Sequence, residues 1–182
     1  MSGAHVEAQG EHNKGIALLI AILALVLAFS ETLGKSAQTA ALDANIEASN
    51  LWAFFQAKTI RQTTLRTAAE QLDAMGGGET ARKQAEAWKN TAERYQSEPE
   101  TSEGRKELAA RAKQAEARRD RSMAAYHHYE LASAAVQIAI VLASASIITA
   151  MPALAWLAGA LGAVGAALCV VGFWLPTAVH LS

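Results

Sequence analysis

Residues 131–182 decide the fold; they read LASAAVQIAIVLASASIITAMPALAWLAGALGAVGAALCVVGFWLPTAVHLS and contain no Asp, Glu, Lys or Arg. A second charge-free run, residues 15–30, lies near the N-terminus. A charged side chain at the centre of a bilayer costs about 2.5–3.5 kcal/mol on insertion scales, so long uncharged stretches are typical of membrane spans. The sequence therefore predicts an integral membrane protein.

Three spans fit these runs, because a spanning helix needs about 20 mostly apolar residues. The C-terminal run is too long for one span and is interrupted by Met151-Pro152, and proline opposes helix continuation except in the first turn. The predicted order is a tail at 1–14, spans at 15–34, 131–150 and 153–175, and a tail at 176–182.

The charged middle region, residues 35–130, is predicted to lie in the cytoplasm. Basic residues follow the first span at Lys35 and precede the second span between Arg111 and Arg121, whereas only Lys14 lies on the other side of the first span. Cytoplasmic flanks carry the excess of Lys and Arg. The middle region is nearly neutral overall, which argues against a nucleic-acid surface.

The middle region is rich in Ala, Glu, Gln, Arg and Lys, which favour helix. Breaks are expected at residues 76–78, which are three glycines, and at residues 97–101, which surround Pro99. The helix lengths fit an antiparallel, coiled-coil-like hairpin that forms a stalk between the first and second spans. A compact three-helix bundle beside the membrane is the alternative.

The predicted core of this stalk is thin. The second segment has a clear seam, made of Ala81, Ala85, Trp88, Ala92 and Tyr95. The first arm offers Leu42, Ile46, Ala53 and Ile60 on one line, with Ser49 between them, and the third offers Leu108, Ala112, Ala115, Ser122, Tyr126 and Tyr129, with Arg119 interrupting. Such seams bury little apolar area, so we expect copies to pack together or against a partner.

The densest aromatic cluster is the segment NLWAFFQAK, residues 50–58. Trp52, Phe54 and Phe55 point in different directions on a helix, at about 100° per residue, so they must contact neighbours on two sides. Together with Trp88 and Tyr95 they are candidates for an oligomer or partner interface. The favoured interpretation is nevertheless an aromatic plug between the stalk helices, with docking of another subunit or protein as the alternative.

Polar residues at the predicted membrane boundary give further candidates. Tyr126 and Tyr129 are expected to anchor the chain at the headgroup level. The adjacent His127 and His128 diverge on a helix, so a single chain is not expected to hold a metal there. Glu31 and Gln137 lie inside the predicted spans and are candidates for a polar intramembrane site or pore, although interfacial capping beside Lys35 is favoured.

Small residues recur along the third span and permit close helix packing in lipid. We therefore place Gly159, Gly162 and Ala163 at a possible subunit interface, with packing against the second span of the same chain as the equal alternative. The single cysteine, Cys169, lies in this span and cannot form an internal disulfide.

The segment NLWAFFQAKTIR, residues 50–61, resembles a bacterial family catalogued as domain of unknown function 4337. The order of segments resembles this family as well: an early span, an Ala/Glu/Arg-rich helical middle, Tyr-His-His and a terminal span pair. The resemblance covers nearly the whole chain. It implies a multi-pass protein of the bacterial inner membrane and brings no assigned activity or catalytic residue.

The predicted function is an oligomeric scaffold or accessory subunit in the lipid bilayer, made of copies of this chain and potentially bound to another membrane protein complex. No cofactor, catalytic residue or nucleic-acid partner is expected, because no pair of titratable groups has acid/base spacing and the histidines lack a matched nucleophile. The alternative is an oligomeric ion channel or transporter component with Glu31 and Gln137 near its cytoplasmic mouth.

Overall fold

The computed structural model describes the backbone of residues 2–178 and the side chains of residues 14–178. Within this part of the chain there are four α-helices and no strand, so the predicted all-α fold is confirmed. The helices are α1 (Ser2–Ala74), α2 (Glu79–Gln96), α3 (Arg105–Thr149) and α4 (Pro152–Trp174).

Three of the described helices, α1, α3 and α4, are long and apolar enough to cross a membrane. This finding agrees with the three uncharged segments predicted from the sequence. Residues 2–14, predicted as a tail, belong to helix α1. Of the predicted C-terminal tail, residues 179–182 lie outside the described residues.

The helices end where the sequence offers residues that break them. Gly76 adopts a φ of 67°, in the left-handed region that glycine tolerates, directly after α1. Between α3 and α4 the turn consists of Ala150 and Met151, and Pro152 occupies the first turn of α4, where its missing N–H costs nothing. The Ser146 hydroxyl donates to the Met151 carbonyl at 2.9 Å and closes this turn.

The chain divides into two compact units. The first, which we call the apolar unit, contains the chain up to Ala41 and from Asp120 onward. The second, the polar unit, is Leu42–Arg119. The long helices α1 and α3 contribute residues to both units.

One side of α1 is buried at a regular spacing in both units. Residues that are buried or half-buried alternate at intervals of four and three from Ile16 to Leu72 without a skip. A repeat of 3.5 residues is the spacing that keeps one side of a helix against its neighbours. We call this set the buried line of α1: residues 16, 20, 23, 27, 30, 34, 37, 41, 44, 48, 51, 55, 58, 62, 65, 69 and 72.

The apolar unit packs α1 against α3 and α4. Its core contains Ile16 and Leu23 from α1, Val136 and two alanines from α3, and Ala158 from α4. The packed side of α4 consists of small residues, so the helices approach closely. Its members, buried or half-buried, are Ala155, Ala158, Gly162, Gly165, Cys169 and Gly172.

The polar unit packs residues 42–74 of α1 against α2 and the start of α3. The core of one cluster contains Ala48 and Leu51 of α1 with Leu108, Ala112 and Ala115 of α3. Side-chain contacts join Glu47 to Arg118, Gln62 to Ala92, and Asp73 to Lys89. Along these contacts the residue numbers rise in α1, whereas the residue numbers of the partners in α3 and α2 fall. This segment of α1 therefore packs antiparallel to both helices.

The predicted faces of α2 and α3 are confirmed, whereas that of α1 was wrong. The five seam residues of α2 and the predicted line of α3 are all buried or half-buried. In contrast, Leu42, Ile46 and Ile60 are 58%, 56% and 67% exposed. The buried line of α1 contains the polar Lys58 and Gln62 instead. The prediction was wrong because it selected the row with the large apolar residues.

Candidate functional site

A buried lysine lies at the centre of the polar unit. Lys58 is 5% exposed, and its ammonium lies 3.2 Å from a Glu98 carboxylate oxygen and 3.9 Å from one of Glu103. The same nitrogen lies 5.5 Å from the ring centroid of Phe54 and 5.4 Å from that of Tyr95. Two aromatic faces and two carboxylates thus replace the water that a lysine loses on burial.

Gln62 extends this network one turn further along α1. Its amide nitrogen donates to the Ala92 carbonyl at 2.9 Å, and its amide oxygen accepts from the Arg105 guanidinium. Arg105 also donates to Gln96 at 2.9 Å and lies 4.9 Å from the Phe55 ring centroid. These contacts connect α1, the end of α2 and the start of α3.

The turn between α2 and α3 is organised by Glu107. One carboxylate oxygen accepts from the Ser97 hydroxyl at 2.6 Å and the other from the Glu98 backbone N–H at 3.1 Å. The hydrogen bond from Ser97, followed by that from Glu98, lowers the pKa of Glu107 below its ordinary value. A methyl group on Gly104 would overlap the Glu107 carboxylate and the Glu98 backbone nitrogen, so the turn needs glycine there.

The predicted aromatic interface residues lie mainly against their own chain. The Trp52 indole N–H donates to Glu116 at 2.8 Å, and its ring meets Phe55 edge-on at 5.4 Å between centroids. Trp88 and Tyr95 are half-buried on the packed side of α2, and Phe54 is 37% exposed. An interface with another subunit through these residues stays a prediction.

The side of α1 that faces away from the buried line carries a second regular row. We call its members in the polar unit the outer line: Leu42, Ile46, Ser49, Ala53, Gln56 and Ile60, all of them exposed. At about 100° per residue, this line lies roughly 150° around the helix from the buried line. The neighbours that cover the buried line therefore leave the outer line uncovered.

The apolar unit contains a polar groove between α1 and α3. The Ser30 hydroxyl is fully buried, donates to the Tyr129 carbonyl at 2.8 Å and accepts from the Ser133 hydroxyl at 2.8 Å. Beside it the Gln137 amide lies 3.4 Å from a Glu31 carboxylate oxygen. The structure thus brings together Glu31 and Gln137, the two polar residues predicted inside the spans.

The groove is open and has a volume of about 490 Å³. Small residues form part of it, since Gly34 lies so close to α3 that an added methyl group would be 3.3 Å from the Tyr129 Cβ. Longer polar side chains line it as well. Its lining residues are Ser30, Glu31, Gly34, Lys35, Gln38, Tyr126, Tyr129, Glu130, Ser133, Ala134 and Gln137.

The Tyr-His-His-Tyr segment, residues 126–129, has both buried and half-buried side chains. Tyr129 is 4% exposed, whereas Tyr126 is half-buried. The ring of His128 is buried, with Nε2 3.2 Å from the Pro176 carbonyl, while His127 Nδ1 lies 3.7 Å from Glu130. The two histidines therefore point to different neighbours, as adjacent residues on a helix do.

The three small residues proposed from the third span fall on two sides of α4. Gly162 is buried, and a methyl group there would overlap the Leu23 side chain. Around Gly159 nothing lies within 4 Å of an added methyl group, and Ala163 is exposed. Gly162 thus packs within the chain, and a subunit contact through Gly159 and Ala163 remains a prediction.

Comparison with known protein families places most of the chain in one family model. The family described as Domain of unknown function (DUF4337) matches residues 12–175. The chain belongs to this family. The resemblance seen in the sequence is thereby confirmed, and the match covers both units of the DUF4337 chain.

No curated protein and no solved structure matches the chain. What the DUF4337 fold does chemically must therefore be argued from its own residues. Sequence reasoning missed Lys58, Gln62, Glu98 and Arg105 as parts of one network. The first two lie on the buried line of α1, and the sequence does not distinguish this line from the outer line, which has the same 3.5-residue spacing.

Proposed function

We propose that this protein is a multi-pass protein of the bacterial inner membrane whose copies associate into a scaffold or accessory subunit of a larger membrane complex. The apolar unit spans the bilayer three times, and the polar unit extends into the cytoplasm as an antiparallel helical stalk. No chemical reaction is assigned to it.

The observation that carries this proposal is apolar exposure within the charged part of the chain. Leu42, Ile46 and Ile60 are each more than half exposed on one side of α1 in the polar unit. Exposed apolar residues that form a regular row favour association with another protein surface. The polar unit also has a small core, built largely of alanines, so additional burial between copies would stabilise it.

Association is tested on the full-length chain extracted from membranes in a mild detergent. Native mass spectrometry is expected to give the mass of two or more copies of the 19.2 kDa chain, alone or with a second protein bound. A monomer at every protein concentration, with no companion protein in the preparation, would refute the proposal.

The orientation is tested separately by reporter fusion. The reporter is joined after Gly77, in the turn between α1 and α2. We expect activity from a reporter that works only in the cytoplasm, because basic residues flank the polar unit at its ends. Activity of a periplasmic reporter at this position would reverse the proposed topology.

A second candidate function, ion conduction, is favoured by the groove. Glu31 is an ionisable residue within a candidate span and lies beside Gln137 in an open, polar-lined depression. On this hypothesis, Glu31→Gln lowers ion flux in liposomes relative to the unsubstituted protein. Equal flux in Glu31→Gln and the unsubstituted protein dismisses conduction and leaves the scaffold proposal intact.

A further inference from the structure

The outer line is suited to one kind of partner, because its apolar residues repeat at the spacing of helix pairs. From Leu42 to Ile60 its members alternate at intervals of four and three. This spacing keeps a helix surface in contact with a second helix that runs alongside it. A flat or irregular partner surface would not require the repeat.

Charge is nearly absent from this side of α1. Residues 42–60 contain only three charged side chains, Asp43, Glu47 and Lys58. Lys58 is buried on the opposite side with Glu98, and Glu47 pairs with Arg118 of the same chain. A partner therefore meets mainly Leu, Ile, Ala, Ser and Gln, and a strongly acidic or basic partner finds no complementary charge.

The same helix positions remain apolar inside the candidate span. Leu18 and Leu25 are 63% and 59% exposed, and with Ala21 and Ala28 they continue the spacing of the outer line toward the N-terminus. Between the two apolar stretches lie Thr32, Lys35 and Thr39, at the level where a headgroup layer is expected. The same 3.5-residue spacing of exposed residues therefore occurs on α1 within the apolar unit.

We propose that the occupant of the outer line is α1 of a second copy of this chain, running parallel and in register. The inference rests on the proposed membrane insertion, which orients every copy in the same direction and so makes parallel α1–α1 contact the geometry available to neighbours. Around a two-fold axis along the helices, Leu42, Ile46 and Ile60 each meet their own counterpart.

The register follows from the order of large and small residues. In register, leucine meets leucine and isoleucine meets isoleucine, while Ser49 and Gln56 pair with their counterparts by hydrogen bonds. A shift by seven residues would place Leu42 and Ile46 opposite Ser49 and Ala53. Polar residues within an apolar helix seam fix register in this way, because a shifted polar side chain loses its partner.

The geometry is tested by cysteine cross-linking of the full chain in native membranes. The background variant is Cys169→Ala, which removes the only cysteine. Ile46→Cys and Ile60→Cys lie on the outer line, and the matched control Arg61→Cys lies next in sequence but on another side of α1. All three positions are exposed, so the substitutions leave the core of the chain unchanged.

We expect Ile46→Cys and Ile60→Cys to form disulfide-linked dimers under mild oxidant much faster than Arg61→Cys, because a disulfide needs Cα atoms within about 7 Å. Equal rates at the three positions overturn the parallel contact. If native mass spectrometry still shows an oligomer in that case, only the contact fails. If it shows a monomer, the proposed function fails as well.

A charge on the outer line gives an independent test. Ile46→Lys is expected to weaken dimer formation by about tenfold or more, since two apolar contacts are lost and two ammonium groups face each other. Circular dichroism checks that the helical content is unchanged. Asn50→Lys, which adds the same charge at an exposed position on another side of α1, is the matched control, and equal weakening by both substitutions contradicts the proposal.

Discussion

The apolar and polar units use the same 3.5-residue spacing on α1 with different side chains. In the apolar unit the buried line contains Ile16 and Leu23 and then the small Ser30 and Gly34. In the polar unit it contains Ala48 and Leu51 and then the polar Lys58 and Gln62. The spacing is set by helix geometry, whereas the side chains are set by what each unit must bury.

With the apolar unit in the bilayer and the polar unit in water, as we propose, the difference reflects two driving forces. In lipid, apolar association gains little from the hydrophobic effect, so close contact between small residues supplies the attraction. In water, alanine and leucine gain free energy by burial, but a thin alanine seam does not by itself define which residues face each other. The Lys58–Glu98 pair and the Gln62–Arg105 contact supply that definition in the polar unit, since a shifted helix would leave them unpartnered.

The largest effect is expected from breaking the buried pair of the polar unit. Glu98→Gln leaves the Lys58 ammonium buried without its nearer carboxylate, and we expect a loss of about 3 kcal/mol in the free energy of unfolding. Lys58→Met, which removes the charge and keeps the apolar volume, is expected to cost less. Thermal unfolding followed by circular dichroism measures both, and equal losses would show that the charge pair is not what matters.

The next effect tests close packing in the apolar unit. A methyl group on Gly165 would lie 2.6 Å from a Val136 methyl carbon and 3.1 Å from the Ala132 carbonyl oxygen. Gly165→Ala is therefore expected to cost about 2 kcal/mol through overpacking. Gly159→Ala, with open space around it, is the matched control and is expected to be neutral or slightly stabilising. Similar melting temperatures for the two variants would contradict close α3–α4 contact.

A smaller effect is expected from the buried hydroxyl pair of the apolar unit. Ser30→Ala removes the hydrogen bond to the Tyr129 carbonyl and leaves the Ser133 hydroxyl without its acceptor. The expected cost is about 1.5 kcal/mol, because two hydrogen bonds are lost and each contributes about 0.5–1.5 kcal/mol net. Ser36→Ala, at an exposed position on the same helix, should cost nothing measurable. An equal loss in both variants would exclude the hydrogen bonds of Ser30 as the cause.

The smallest effect is a dependence on pH in the α2–α3 turn. The pKa of Glu107 is lowered from its ordinary value of 4.5 by hydrogen bonds from Ser97 and Glu98. Its contribution to stability is therefore present above pH 4.5 and disappears as the pH falls through the lower pKa of the folded state. Hydrogen exchange of the Glu98 amide should accelerate over that range relative to its intrinsic rate. In Glu107→Gln this acid-dependent change should be absent, and its persistence would exclude Glu107 as the cause.

Much of the fold follows from local sequence. The charge-free runs locate three apolar helices, Gly76–Gly78 and Pro99 lie where helices stop, and Met151-Pro152 lies at the turn before α4. The seam of α2 is readable because Ala81, Ala85, Trp88, Ala92 and Tyr95 contrast with charged neighbours. These features depend on residues close in sequence, so no tertiary contact is needed to find them.

The packed side of α1 in the polar unit was not readable in this way. Ile46 and Ile60 are more apolar than Lys58 and Gln62, yet the isoleucines are exposed and the polar residues buried. The buried positions depend on Glu98, Ala92 and Arg105, which come from other helices. Burial of a lysine is favourable only when such partners are present. Because these partners lie far away in the sequence, the periodicity of a single helix does not identify them.

The sequence by itself determined that this member of the DUF4337 family is helical, with three apolar segments long enough for a bilayer and a charged region between the first and second. The length of an uncharged segment can be read from the sequence alone. It predicts a membrane span because placing a charged side chain in lipid is costly. Only the tertiary structure decided which side of α1 faces inward. Two sides of that helix carry the same 3.5-residue repeat, and the choice between them depends on the partners that surround Lys58.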